Sequence, residues 1–324
     1  MTNYKELNSE FIKVSPVYTE TDGGELFSIE IKSSDGVVIR VEPERALDVS
    51  SLVIRGINVC YLSPIGVRKP SVFDYGETSF MDNMFFGLLT TCGLENAGPT
   101  SIDEGVFYSQ HGSINYCSAE NVRYFLSEDG KKAYVEGEVS DKRFGKHNFV
   151  MKRKIEYDFD EKSISVSDKV LNRGEKDRIC VMYHYNFGSP FLSEECEITV
   201  PYVSARPKNK DAEAGMDSIT KVFSANLDNK PQVFYLGFAE EKVHRATIEN
   251  RKLRLKVTLK FNADGLPKMD LWKNLRSDKY VLSFEPCNAY PYGRHEQLLR
   301  GEAQYLDKNE EKEYFSKIIL EDLQ

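Results

Sequence analysis

The stretch Ile179-Cys180-Val181-Met182-Tyr183-His184-Tyr185-Asn186-Phe187 decides the fold class of this chain. Successive side chains of an extended strand point to opposite faces, so the odd-numbered residues share one face and the even-numbered residues share the other. Both faces are largely apolar, which predicts a central strand covered on both sides. His184 and Asn186 are polar exceptions, and they lie on the same face.

The same two-residue alternation recurs along the whole chain. It predicts strands at residues 26–30, 37–41, 51–62, 132–139, 149–159, 163–171, 178–187, 197–200, 232–238, 252–261, 279–284 and 313–320. Helical signals are confined to residues 80–89 and 294–302, and residues 208–218 have the polar composition of a surface loop. Because strand patterns follow one another without long helices, we predict an all-β fold, a large antiparallel sandwich, as a single domain over residues 1–324.

The composition fits a protein with a large core and an acidic surface. Of the 324 residues, 40% are hydrophobic and 29% are charged, and the net charge is -8. Such a charge argues against a nucleic-acid partner, which would require a basic surface. No apolar run approaches the ~18 residues of a membrane-spanning helix, and residues 1–7 lack the apolar stretch of a signal peptide. We therefore expect a soluble, cytoplasmic protein with no membrane partner.

The six cysteines are far apart in the sequence and include no pair with CxxC spacing. Most of them stand among apolar or aromatic residues. This pattern predicts reduced, mostly buried thiols, and it argues against a structural zinc site, which needs paired ligands.

Two groups that can exchange protons stand in otherwise apolar strands. His184 is the first, and Glu285, in the string Ser283-Phe284-Glu285-Pro286-Cys287-Asn288, is the second. A carboxylate at the end of an apolar strand is costly unless it is paired or lines a wet pocket, where partial burial makes it a better base. Histidine is well suited to proton transfer near neutral pH. Each residue alone also fits a structural role, as a hydrogen-bonded core histidine or a solvated glutamate.

Other polar residues are candidates for holding a ligand. Alternation would place His111, Ser113 and Asn115 on one side of a strand, where they would suit a hydroxyl-rich ligand or an exposed face equally well. Arg45 and Asp48 could grip hydroxyls with charge-assisted hydrogen bonds or form an ordinary surface salt bridge.

Two further parts of the sequence could contribute to a ligand-binding site. Residues 87–99 are rich in glycine and small polar residues but lack the spacing of a phosphate-binding loop, so we expect a tight loop that lines a pocket. Trp272, beside Lys273, is the only tryptophan; its ring could stack on a sugar or belong to the core.

Taken together, these strings resemble the aldose 1-epimerase (galactose mutarotase) superfamily. Tyr183-His184-Tyr185-Asn186-Phe187-Gly188 resembles the strand that bears the general acid of the family, and Ser283-Phe284-Glu285-Pro286-Cys287-Asn288 resembles the element that bears the general base. Gln110-His111-Gly112 resembles the segment that supplies a supporting histidine. The order of the three strings also agrees, and they spread over most of the chain.

The sequence is more similar to one less characterised branch of that superfamily. Shared features are an Arg-x-x-Asp motif at Arg45 and Asp48, a Thr-Cys-Gly-Leu loop at residues 91–94, a Trp-Lys pair ending at Lys273, and Gly-Arg ending at Arg294. The sequence departs from typical galactose mutarotases at Asn186, which comes early, and we find no match for their aspartate that contacts sugar hydroxyls.

The resemblance implies a β-supersandwich that interconverts sugar anomers without a metal or organic cofactor. It implies that Glu285 is the base and His184 the acid, that His111 supports them, and that hydroxyls are held by Arg45, Asp48, Lys273 and Arg294. The expected partner is a small sugar, and a homodimer is compatible with the sequence.

Three alternatives stay open at this point. The first is a protein that binds carbohydrate without turnover. The second is a glycosidase or lyase, in which Glu285 would need a second carboxylate such as Glu95 or Asp48. The third is a metal-dependent isomerase with His111, His184 and Glu285 as ligands.

Overall fold

The computed structural model describes residues 12–70 and 76–323. The predicted domain also includes residues 1–11, 71–75 and 324, and the expectation about a signal peptide rests on residues 1–7; these lie outside the described residues. The strands are β1 (Lys13–Thr21), β2 (Gly24–Lys32), β3 (Val37–Glu42), β4 (Asp48–Ile54), β5 (Ile57–Asn58), β6 (Tyr61–Leu62), β7 (Phe86–Gly87), β8 (Leu89–Leu94), β9 (Ser101–Asp103), β10 (Val106–Tyr108), β11 (Ala119–Leu126), β12 (Lys132–Lys142), β13 (Asn148–Asp158), β14 (Ser163–Asn172), β15 (Asp177–Arg178), β16 (Cys180–Gly188), β17 (Glu197–Thr199), β18 (Tyr202–Pro207), β19 (Gln232–Phe238), β20 (Val243–Asn250), β21 (Leu255–Asn262), β22 (Lys268–Arg276), β23 (Lys279–Cys287), β24 (Tyr305–Leu306) and β25 (Glu311–Asp322). The α-helices are α1 (Ser79–Asn83), α2 (Lys210–Glu213) and α3 (Arg294–Leu299), and 3-10 turns cover Pro43–Arg45, Ile114–Tyr116 and Met216–Ser218.

Two large antiparallel sheets form the molecule. The first sheet has the strand order β1-β2-β3-β4-β8-β16-β23-β22-β19-β18, with β5 added on β4. The second has the order β11-β12-β13-β14-β25-β21-β20-β17. The predicted all-β antiparallel fold is therefore confirmed. No helix in the described part of the chain is long and apolar enough to cross a membrane.

The main hydrophobic core lies between the two sheets. It joins Leu52 and Phe284 of the first sheet to Ile155 and Val166 of the second in one cluster of buried side chains. Burial of this apolar surface is the main favourable contribution to folding. A smaller cluster, which includes Phe80, lies on the other face of the first sheet.

Strand β16 separates these two apolar layers, as its alternation predicts. Val181 and Tyr183 belong to the main core, whereas Met182 belongs to the smaller cluster on the opposite face. The strand is buried along its whole length and pairs with β8 on one side and β23 on the other. The even-numbered face of β16, which carries His184, therefore lies outside the sandwich, beneath a cover of loops.

Most of the predicted strands agree with the structure, but the sequence pattern did not predict β1, β11, β18, β20 and β22. The loop predicted at residues 208–218 contains α2 and a 3-10 turn. Two further segments differ in their type of structure. Residues 80–89 were expected to be helical; only Ser79–Asn83 forms a helix, and the chain then enters β7 and β8. Residues 87–99 were expected to be a loop, yet Leu89–Leu94 is a strand of the first sheet. The small polar residues Thr90 and Thr91 are fully buried there, because strands on both sides supply the apolar surroundings.

All six cysteines are free thiols, and five of them are buried, as the sequence predicts.

Candidate active site

His184 and Glu285 meet across neighbouring strands. The register that pairs Met182 with Cys287 and Tyr185 with Phe284 brings the two residues side by side on the outer face of the first sheet. His184 Nε2 lies 3.0 Å from Glu285 Oε1, and both side chains are about one-twentieth exposed. The contact has the length of a direct hydrogen bond between an imidazole and a carboxylate.

The carboxylate of Glu285 is further held by its own strand. The Ser283 hydroxyl, two residues earlier on the same face, donates a hydrogen bond to Oε1. Such a hydrogen bond fixes the orientation of the carboxylate. Since Oε1 receives both Ser283 and His184, Oε2 is the oxygen left to act on a ligand.

A cavity of about 170 Å³ opens over this pair. Its walls come from the first sheet and from the loops that cover it. The lining residues are Phe80, Met81, Phe86, Gly98, Gln110, His111, His184, Lys208, Val233, Asp270, Trp272, Glu285 and Pro291. The volume is below the usual range for drug-sized ligands, so the cavity suits one small molecule.

Asp270 is a site residue that sequence reasoning missed. It lies on β22 directly opposite Glu285 and also lines the cavity. Its Oδ1 is buried without a hydrogen-bond partner among the described residues. Burial raises the pKa of Asp270 well above its ordinary value, and the negative charge of Glu285 raises it further. Both effects favour the protonated carboxylic acid over the charged carboxylate at this position.

His111 faces the same cavity from a tight turn. The Gly98 N–H donates to His111 Nδ1 at 3.3 Å, which makes Nδ1 the acceptor and leaves the proton of the neutral ring on Nε2. Burial lowers the pKa of His111 well below its ordinary value, and the proximity of His184 lowers it further. The ring is therefore a neutral hydrogen-bond donor.

The turn that carries His111 is tied closely to the loop after β8. His111 N–H donates to Gly98 O and His111 O accepts from Gly93 N–H, each at 2.9 Å. A Cβ on Gly112 would meet Gly93 O at 2.1 Å, so only glycine fits there. His111 itself has a φ of 57°, in the left-handed region that non-glycine residues rarely adopt. Such a constrained backbone is typical of functional turns.

Aromatic rings form the apolar part of the cavity wall. Phe86 and Trp272 stack on each other with ring centroids 5.8 Å apart, and each meets the His184 ring edge-on. Phe80 packs against His111 at 4.6 Å. The wall thus combines aromatic surface with polar groups, a combination that suits a ligand with C–H faces and hydroxyl groups.

A buried polar network lies behind the His111 turn. The Ser113 hydroxyl lies 2.8 Å from a Glu95 oxygen and 2.9 Å from an Asp141 oxygen, and His147 Nε2 lies 3.1 Å from Asp141. Burial and the charge of Asp141 raise the pKa of Glu95 to about 8. Because this network lies beneath the turn and outside the cavity lining, it supports the turn rather than contacting a ligand.

The row of ligand-facing residues predicted at 111–115 is wrong. The segment forms turns, so its side chains do not alternate as in a strand. His111 lines the cavity, but Ser113 faces the buried network and Asn115 is almost fully buried outside the lining.

Arg45 and Asp48 do not line the cavity formed by the described residues. The Asp48 carboxylate is fully buried between the sheets, where it accepts hydrogen bonds from Thr91 and Arg153. Arg45 is also buried; it donates to Asn83 O and packs its guanidinium against the ring of Phe85. The expectation that this pair grips sugar hydroxyls is corrected: both residues are enclosed by the protein itself.

Lys273 is the next correction. On β22 it points to the face opposite Asp270 and Trp272, because neighbouring residues of a strand alternate. Its Nζ donates to the carbonyl oxygens of Ser218, Ile219 and Lys221 at 2.6, 3.3 and 3.2 Å. Burial lowers the pKa of Lys273 to about 8. The lysine therefore stabilises the turn at residues 218–221 and cannot reach a ligand in the cavity.

Replacing Lys273 with methionine is expected to lower the free energy of unfolding by about 1–3 kcal/mol, because buried carbonyl oxygens lose their donor. Urea denaturation measures this effect, with Lys279→Met as the control at an exposed position of the neighbouring strand. If Lys273→Met were as stable as the wild type but bound its ligand more weakly, the result would indicate that Lys273 contacts the ligand.

Arg294 also serves the structure. Its guanidinium pairs with Asp177 and with Asp103, donates to Glu95 O at 3.2 Å, and lies over the ring of Tyr108. It holds the start of α3 against the loop after β8 and does not line the cavity. The predicted contact with a sugar hydroxyl is therefore not supported.

The same geometry does not support the glycosidase and metal alternatives in the form that the sequence suggested. Glu95 and Asp48 both lie outside the cavity lining, so neither pairs with Glu285 as a glycosidase would require. Within residues 12–70 and 76–323, the one group of three side chains close enough to share a metal ion is Glu95, Asp141 and His147. His111, His184 and Glu285 do not form such a group.

The two-sheet sandwich has the galactose mutarotase-like fold, as its likeness to solved structures shows. A structure of a proposed aldose 1-epimerase from Klebsiella pneumoniae has a TM-score of 0.89 at 22% identity, and the match covers 98% of this chain and 86% of that chain. A galactose mutarotase-like protein from Clostridium acetobutylicum has a TM-score of 0.68 at 14% identity and covers 97% and 100%. A galactose 1-epimerase from Lactobacillus acidophilus has a TM-score of 0.64 at 14% identity and covers 97% and 100%. At these identities the likeness establishes the fold.

The chain belongs to the family described as Domain of unknown function (DUF4432), whose model matches residues 23–319. The comparison with curated proteins gave no match.

Proposed function

We propose that this protein is an aldose 1-epimerase, which interconverts the α and β anomers of a sugar by opening and closing its ring. The observation that carries the proposal is the 3.0 Å contact between His184 Nε2 and Glu285 Oε1 at the floor of a small cavity. Ring opening needs one group to remove the anomeric proton and one to protonate the ring oxygen, and the two must stand close together.

The proposed reaction is a pair of coupled proton transfers. Glu285, as the carboxylate, removes the proton from the hydroxyl on C1, and His184, as the imidazolium, donates its Nε2 proton to the ring oxygen as the bond from C1 to the ring oxygen breaks. The product is the open-chain aldehyde. Rotation about the C1–C2 bond presents the other face of the aldehyde, and the same transfers in reverse close the ring as the opposite anomer.

The remaining cavity residues would bind the sugar. His111, as a neutral donor, would hydrogen-bond the ring oxygen or the anomeric region, and protonated Asp270 would both donate to and accept from a hydroxyl. Trp272 and Phe86 would cover the C–H face of the ring. The walls thus provide contacts for each kind of surface that a pyranose presents.

The test is exchange between α and β anomers, measured by NMR magnetisation transfer over a panel of aldoses with the wild-type protein. We expect accelerated exchange for at least one sugar configuration. Binding of an aldose in calorimetry, without acceleration of exchange for any member of the panel, would indicate a carbohydrate-binding protein instead.

Asp270 gives a second prediction, based on its protonated state. Asp270→Asn preserves a donor and an acceptor, so at a pH where Asp270 holds its proton KM is expected to change by less than about threefold, whereas Asp270→Ala is expected to raise it by roughly 10- to 100-fold. Because the pKa of Asp270 is raised, the wild-type residue loses its proton as the pH rises through that value. The part of the decline of kcat/KM with rising pH that is caused by Asp270 should be absent from Asp270→Asn. Identical effects of the asparagine and alanine variants would contradict this role.

A further inference from the structure

A second, open hollow adjoins the cavity at its mouth. Its volume is about 570 Å³, and Lys208 lines both spaces. The residues of the hollow that matter here are Arg206, Lys208, Tyr235, Tyr292, Glu296 and Arg300. Gly98 lines the cavity and the next residue, Pro99, lines the hollow, so a ligand that fills the cavity could extend a substituent into the hollow.

Lys208 is an exposed cation placed between the two spaces. Its backbone N–H donates to the carbonyl of Val233 at 3.0 Å, and Val233 itself lines the cavity. Its ammonium group makes no ion pair with any described residue, whereas exposed lysines such as Lys131 and Lys308 pair with carboxylates at 2.6 Å. Burial is the main cause of the pKa shifts of His111 and Asp270, and the positive charge of Lys208 makes a smaller contribution that lowers the pKa of each.

Arg206 adds a second cation without a carboxylate partner in the described chain. Its guanidinium donates to Tyr292 Oη at 2.8 Å and lies over the ring of Tyr290 at 5.1 Å. These contacts hold the planar group in place and leave its charge uncompensated. Arg300, over the ring of Tyr292, is different, because Glu296 neutralises it at 2.7 Å.

The position of these cations matters because of the charge of the cavity. Glu285 lines the cavity, and the whole chain has a net charge of -8. An anionic ligand would be repelled from such a site unless cations stood beside its charged group. Cations can also donate hydrogen bonds to the hydroxyls of a neutral sugar, but only an anionic group on the ligand would compensate the charges of Lys208 and Arg206.

We propose that the sugar accepted by this site carries an anionic group, a phosphate or a carboxylate, which lies in the outer hollow on Lys208 and Arg206 while the ring occupies the cavity. This inference rests on the proposed function for its reaction, but the anion site can be tested separately.

The experiment compares matched sugars that share one ring configuration. Anomer exchange is measured for glucose, glucose 6-phosphate and glucuronate, and for the corresponding galactose and mannose sets, with wild type, Lys208→Gln, Arg206→Gln and the control Lys210→Gln. We expect kcat/KM for at least one anionic sugar to exceed that of its neutral partner. The ratio should fall by roughly 10- to 100-fold in Lys208→Gln and stay unchanged in Lys210→Gln.

The outcomes separate the two proposals. A preference for phosphates or for carboxylates identifies the anionic group. Exchange of neutral and anionic partners at equal rates in every set overturns the anion site and leaves the epimerase proposal standing. If no sugar exchanges faster with the protein, the epimerase proposal fails. Ligand-observed NMR binding with the same sets then decides the anion site: tighter binding of an anionic sugar that Lys208→Gln abolishes supports it, and equal binding overturns it.

Discussion

Replacing Glu285 with glutamine, or His184 with asparagine, is expected to slow anomer exchange by about 10²–10⁴-fold. Each replacement keeps the shape and part of the hydrogen bonding of the side chain but removes its ability to transfer a proton. Neither carboxamide can take the proton from C1–OH or deliver one to the ring oxygen. The measurement is magnetisation transfer between anomers with the sugar that the wild-type protein exchanges fastest.

The double variant, with both His184→Asn and Glu285→Gln, tests whether the two residues act in the same step. Because His184 and Glu285 act on one substrate in one coupled step, removing both should cost little more than removing the more important one. Two independent contributions would instead multiply. Glu313→Gln, at an exposed position of β25, is the matched control for a glutamate change and should exchange sugars at the wild-type rate.

Thermal unfolding of each variant shows whether a lost rate reflects lost fold. Folded His184→Asn and Glu285→Gln proteins that both exchange anomers at the wild-type rate would contradict the assigned reaction. Loss of rate in only one variant would show that the other residue is not needed to transfer a proton.

The strands were predictable because alternation is a local property. A strand such as β13 or β16 has its two-residue period in its own sequence, whichever strands pair with it. Strand β8 was missed for the opposite reason: Thr90, Thr91 and Gly93 look like a loop in sequence and become a strand only through their neighbours. Tertiary context overrides local propensity at such positions.

The candidate site was predictable only in part. His184 and Glu285 stand out because each is a lone titratable group in an apolar strand. Asp270 lies in a strand that also carries Lys268 and Lys273, which looks solvated in sequence; only the register with Glu285 shows its burial. The sequence did contain one indication that Asp270 lies in the site: it stands two residues before Trp272 and so shares its strand face.

Charged residues that are buried for structural reasons look like site residues in a sequence. Asp48 and Arg294 each resemble a ligand-binding residue by motif, yet each is enclosed by partners that lie more than 40 positions away in the chain. Sequence spacing does not show such long-range pairing, so their environment could be learned only from the fold.

Arg153 is the centre of one of these enclosed networks, and replacing it with leucine is expected to lower the free energy of unfolding by about 3–5 kcal/mol. Its guanidinium, fully buried, lies 2.9 Å from Asp48 in the first sheet and 2.6 Å from Asp168 in the second. The Tyr183 hydroxyl also donates to Asp168. Without the arginine, two carboxylates would stay buried with no countercharge, which is far more costly than losing an exposed pair.

The matched control is Arg123→Leu, whose partner Glu136 lies 2.8 Å away at a position where the arginine is about three-quarters exposed. Exposed pairs contribute about 0–1 kcal/mol, so urea denaturation should separate the two variants clearly. Adding Asp48→Val and Asp168→Leu to Arg153→Leu should recover much of the loss, because the stranded charges are then removed as well. If Arg153→Leu and Arg123→Leu lowered the free energy of unfolding equally, water would have to reach the buried network. The ion pairs of Arg153 would then not hold the two sheets together.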